Sequence, residues 1–142
     1  MKINWHNLQR KYLIKVEPIE SYVKDSIGFL KLDDYEINVI LVGNRKIKEI
    51  NKEYRNKSSE TDVISFSVDL DYPDRKFLGD IYICVEVAVR QAKAYGHSVD
   101  CELAILIIHG ILHLIGLDHE VDNGEMRLIE DRINERLFNI IK

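Results

Sequence analysis

Residues 99–119 read VDCELAILIIHGILHLIGLDH. From Val99 to Ile115 the chain is apolar on nearly every side of a helix, the pattern of one buried among other elements. Ser98 can cap its start, and Asp100 and Glu102 fall in the first turn, where the helix dipole favours acids. Against this background His109 and His113 are unexpected. Four residues apart, they project from one face, one turn apart. This is the spacing at which a helix presents two imidazoles to one zinc ion. Gly116 stands where the helix should end, and a glycine can adopt positive φ there and reverse the chain. The reversed chain can bring His119 to the same point. Three nitrogen ligands leave a fourth position for water, the arrangement of a catalytic zinc site holding one ion per chain.

Packing alone is a poor explanation of this constellation. A single histidine in an apolar helix is ordinarily a hydrogen-bonded core residue, and a pair at this spacing can simply face solvent. A helix that is apolar all round would have to supply both rings with buried partners. The pair, the turn glycine and the third histidine together favour a metal site. His6 and His97 lack such a partnership and read as surface residues.

Working outward, Ser98 is preceded by a helical stretch over 86–95 that stops at Gly96. Before it, DVISFSV (62–68) and LGDIYICV (78–85) are β-rich runs. The polar, proline-containing segment between them predicts an antiparallel hairpin with a long connection. Residues 35–42 alternate, with Tyr35, Ile37, Val39 and Leu41 on one face of a strand. Asn44 can cap a helix with Ile47, Ile50 and Tyr54 on one stripe. Pro18 suits the first turn of a helix reaching about Leu30. Asp122 with Glu125 resembles a capping box for a last helix that buries Met126, Ile129, Ile133 and Leu137. The order α-β-α-β-β-α-α-α predicts an α+β domain over 1–142, a small mixed sheet packed against helices around a central buried helix.

A chain of 142 residues can bury a real core without staples. The longest apolar run, Leu103–Leu117, is too short to span a bilayer and is broken by both histidines. No uninterrupted apolar segment near the N-terminus suggests a signal peptide. Cys84 and Cys101 sit among apolar residues and read as buried free thiols, which favours a reducing cytoplasm. The net charge of −4 does not advertise nucleic-acid binding. Its distribution is uneven, however. Six basic residues lie between Arg45 and Lys57 against two acids, and the first fifteen residues carry four basic residues and no acid. Such asymmetry permits a local anion-binding face, although taken alone a solvated helix surface is the simpler explanation.

Gly110 is a further oddity, because mid-helix glycine costs ~1 kcal/mol relative to alanine. It could allow close packing, or leave room beside His109 for substrate or water. The spacing H-x-x-x-H-x-x-G-x-x-H is also that of the metzincin peptidases. Their general-base glutamate is replaced here by Gly110, which argues against peptide hydrolysis.

HGILHLIGLDH, together with NKEYRNKSSETDVISF (51–66) and LGDIYI (78–83), resembles the YbeY family of bacterial metal-dependent endoribonucleases. The three stretches occur in the family's order, and Leu117 stands where an aromatic is commoner. The resemblance implies a zincin-like fold, zinc bound by His109, His113 and His119, and Arg55 lining the cleft as a catalytic residue. It also implies action on single-stranded RNA, in maturation of small-subunit ribosomal RNA and in ribosome quality control. Arg55 could hold a phosphate bidentately, or pair with Glu53 or Asp62. Asp118 could orient a ligand or stabilise the turn. Tyr54, Phe66 and Tyr82 could stack bases or belong to the core. A metal-stabilised ribosome-assembly factor without catalysis is the alternative from another class, and a metallopeptidase the third.

Overall fold

The computed structural model describes residues 1–55, 61–68, 76–116 and 124–141. His119, Asp118 and the Asp122 end of the expected capping box lie outside the described residues. The elements are β1 (Lys2–Asn7), α1 (Val16–Ile27), a short 3-10 helix (Gly28–Leu30), β2 (Glu36–Val42), α2 (Asn44–Arg55), β3 (Val63–Ser67), β4 (Phe77–Cys84), α3 (Val85–Tyr95), α4 (Val99–Leu114) and α5 (Glu125–Ile141). The sheet runs β1-β2-β4-β3, with β1, β2 and β4 parallel and β3 antiparallel to β4. It is the expected mixed sheet with helices against it.

The strand β1 is a correction to the sequence reading, which placed nothing there. It is an edge strand, and only Ile3 of its six residues is fully buried, so its hydrophobic signal is weak. Its register with β2 is fixed partly by polar side chains. Asn4 Nδ2 donates to Asn38 Oδ1 at 3.1 Å, and Asn38 Nδ2 donates to Asp80 Oδ1 at 2.9 Å. This ladder crosses three strands.

Both faces of β2 are covered. Ile37, Val39 and Leu41 face the main core with Ile81, Ile83, Leu103, Ile107 and Ile111. Ile40 and Val42 face a smaller core with Ile47, Ile50, Ile64 and Cys84, beneath α2. Period-two alternation located the strand. It missed the second buried face because that face is created by α2 docking on it.

Local signals acted largely as expected. Ser98 Oγ accepts from the Cys101 amide at 3.1 Å and caps α4. Gly96 takes φ 76° at the end of α3. At the start of α2 the cap position belongs to Gly43, whose carbonyl accepts from the Ile47 amide, and not to Asn44. Asn44 Oδ1 instead accepts from the Cys84 thiol at 3.1 Å, and Glu86 takes the Asn44 amide. Both cysteines are buried and free. On α5, Ile133 and Leu137 are buried and Ile129 partly so.

The helix α4 packs against α1, α3, β3 and β4, and ten of its sixteen residues are buried. Its position in the middle of the molecule follows from that all-round apolar surface. Among the described residues no single helix is long and apolar enough to cross a membrane.

Candidate active site

The last turns of α4 run out of the core. Leu112 is still buried, but His113 is exposed and the His109 side chain is 41% exposed. The two rings therefore need no buried partners, contrary to the expectation drawn from an all-apolar helix. They stand at the wall of an open cleft of about 370 Å³, lined by Arg55, Thr61, Asp62, Val63, Ile64, Ser65, His109 and His113. Three separate segments meet there: the end of α2, the edge strand β3 and the end of α4.

The rings turn the same atom towards each other. His113 Nε2 lies 3.0 Å from His109 Nε2, with the ring planes at 72°. Two nitrogens on a tetrahedral metal, with bonds of about 2.0 Å, stand about 3.3 Å apart. The pair thus fits two ligands of one ion. Behind His109, Glu130 Oε1 of α5 lies 3.8 Å from Nδ1. A carboxylate behind a ligating imidazole orients the ring and raises its basicity. Sequence reasoning missed Glu130, because nothing in α5's own pattern says it faces α4. Among the described residues no three His, Cys, Asp or Glu side chains converge on one point. Gly116 has φ 91°, and its amide donates to the His113 carbonyl, so α4 ends on the positive-φ glycine expected there.

Arg55 lines the cleft without the ion pairs that sequence suggested. Asp62 accepts instead from Gln91 Nε2 at 3.3 Å and from the Val63 amide at 2.8 Å. Ladder parity adds a second feature. The Cys84 amide donates to the Asp62 carbonyl and the Val68 amide to the Leu78 carbonyl, so residues 62, 64, 66 and 68 point their backbone groups at β4. Val63 and Ser65 therefore turn theirs outward, towards the cleft they line. A hairpin was foreseen; that its first strand would be the open edge was not.

Gly110 packs against the sheet. A Cβ there would lie 2.9 Å from Ile81 Cδ1 and 3.0 Å from Ser65 Oγ. Of the two explanations offered for this residue, close packing of helix on sheet is the one observed, and the space is filled. A glutamate at this position would have to displace the Ile81 and Ser65 side chains. Gly110→Ala gains ~1 kcal/mol of helix propensity but overpacks a close contact at a cost of about 1–3 kcal/mol. A net loss of about 1 kcal/mol is expected in urea unfolding. A gain in stability would show that Ile81 moves aside freely.

The aromatic residues divide. Phe66 and Tyr82 pack edge to face at 5.7 Å against the smaller core. Burial, with the charges of Asp80 and Tyr54, holds the Tyr82 phenol above its ordinary pKa. Tyr54 meets Phe66 at 5.0 Å yet is 62% exposed. His6 is exposed, as expected, but His97 is not a simple surface residue. Its Nε2 lies 3.4 Å from the buried Glu102 carboxylate. Burial raises the Glu102 pKa, and the hydrogen bond to His97 opposes that rise.

Residues 4–138 match the family model of Endoribonuclease YbeY. The chain belongs to the YbeY endoribonuclease family. A YbeY endoribonuclease of Caldicellulosiruptor saccharolyticus is 41% identical, covering 95% of this chain and 96% of that protein. One from Nautilia profundicola is 46% identical over 75% of each. The solution structure of TM1509 from Thermotoga maritima superposes with a TM-score of 0.66 at 28% identity, covering 96% of this chain and 89% of that one. YbeY proteins are metal-dependent nucleases, and membership makes this chain a hydrolase of RNA with an implied role in ribosomal RNA maturation.

Proposed function

We propose that the cleft hydrolyses phosphodiester bonds of single-stranded RNA at one zinc ion held by His109, His113 and His119. The observation that carries this is the pair of Nε2 atoms, 3.0 Å apart, in the same cleft as Arg55. When bound, zinc supplies Lewis acidity towards a phosphate oxygen and lowers the pKa of a water. Arg55 binds the phosphate through its planar fork and offsets charge as it develops. Glu130 holds His109 in orientation, and Gly116 turns the chain so that His119 can complete the ligand set. Asp118 adjoins that ligand, either orienting it or stabilising the turn. The physiological role proposed with it is maturation of small-subunit ribosomal RNA and ribosome quality control in the cytoplasm, a reading with which two free, buried cysteines are compatible.

The test is a matched assay of purified protein, with zinc content measured, on single-stranded RNA, duplex RNA and a pool of unstructured peptides. Only the single strand should be cut, and chelation should stop it. Full activity after complete removal of metal would sink the proposal. Arg55→Ala should lower kcat/KM about 100-fold at unchanged zinc content. Arg55→Lys should recover only part of this, because an ammonium cannot form the bidentate contact. Full recovery would mean that charge alone matters. Glu130→Gln should weaken zinc binding by about 10-fold or more in a competition titration. Unchanged affinity would show that Glu130 does not act on His109.

A further inference from the structure

The two basic stretches of the sequence come together in space. Arg10 and Lys11 follow β1, Arg45 and Lys46 begin α2, and all four line one groove of about 320 Å³ with Leu8, Gln9, Gly43, Glu49 and Glu86. The side chains of Arg45, Lys11 and Lys46 are 97%, 64% and 55% exposed. This groove lies at the first turn of α2, and Arg55 in the cleft is its last residue. The helix's twelve residues span about 18 Å. At 100° per residue, Arg45, Lys48, Lys52 and Arg55 fall within an arc of about 80°, opposite the buried Ile47 and Ile50. The helix's two acids, Glu49 and Glu53, stand on one flank of that stripe. Glu49 approaches Arg45 and Lys46 only at 4.0 and 3.9 Å, as an exposed pair that contributes little. Glu86 is engaged with Lys11 and the Asn44 amide.

We infer that this stripe is a backbone track: RNA flanking the cleavage point runs along α2 from Arg55 to the groove of Arg10, Lys11, Arg45 and Lys46. The inference rests on the reading of the cleft as the site of RNA cleavage. Lysines and arginines on a solvent-facing stripe hold phosphates without reading sequence, and each phosphate neutralised on a single strand contributes about −0.7 to the slope of log affinity against log salt. The track therefore confers a preference for longer single strands and leaves the chemical step alone.

The experiment uses the full chain with Arg10, Lys11, Arg45 and Lys46 all changed to Gln, against wild type, on a short RNA that fills only the cleft and on a longer RNA of repeating sequence. Circular dichroism confirms the fold. For the long RNA, KM should rise about tenfold at unchanged kcat, and the salt slope should become shallower by about 3. For the short RNA nothing should change. A second variant, Glu49→Lys, should lower KM for the long RNA. Equal effects on both lengths, a fall in kcat alone, or no change in salt slope would overturn the track. So would loss of binding to anionic vesicles with RNA cleavage intact. A wild type that cuts neither RNA would instead overturn the reading of the cleft itself.

Discussion

His113→Ala should lower kcat/KM on single-stranded RNA by about a thousandfold, with zinc content falling well below one per chain. Metal catalysis contributes several kcal/mol of transition-state stabilisation, and about 4 kcal/mol corresponds to that factor. The fold should survive. His113 is exposed at the open end of α4, so truncation removes no core contact. The unfolding midpoint of the variant should match that of metal-free wild type. Two results would overturn the assignment: zinc retained at full stoichiometry, or activity within tenfold of wild type. A variant that unfolds on metal loss, and whose folded fraction still supports ribosome assembly, would favour a structural metal instead.

Gly79→Ala should be the most destabilising small change in the described chain. Gly79 sits in β4 at φ 146°, where L side chains are strained. A Cβ there would collide with the Phe66 carbonyl of β3 and come within 3.0 Å of Leu114 Cδ2. The contact is backbone, so no rotamer change relieves it. The β3–β4 pairing must shift, and that pairing positions the cleft's edge strand and meets the end of α4. A loss of about 3 kcal/mol is expected, with activity on RNA falling alongside. Urea titration measures it, and a variant within about 0.5 kcal/mol of wild type would show that the two strands separate easily. The milder expectation for Gly110→Ala follows from the same comparison: its close neighbours are side-chain atoms, which can give way.

Much of the site was legible because it is local. His109, His113 and Gly116 lie within one helix and its cap, where a period of 3.6 and a positive-φ glycine translate directly into direction. The family resemblance rests on the same local words. Ser98 and Gly96 were readable for the same reason: capping involves residues three or four apart. What escaped was non-local. The strand β1 exists because β2 offers it a partner across more than thirty residues. Glu130 reaches His109 only because α5 packs against α1, beside α4.

The sequence by itself determined the metal-competent histidine pair, the central apolar helix, the hairpin and the family, since each depends on spacing along the chain. Only the tertiary structure decided that the histidines open onto a cleft, that Arg55 lines the same cleft while Asp62 bonds Gln91, that the space beside Gly110 is filled by Ile81, and that two distant basic stretches share one groove. Those outcomes depend on which surfaces meet when α2 and α4 close on opposite faces of one sheet, and residue spacing along a chain does not encode such distances.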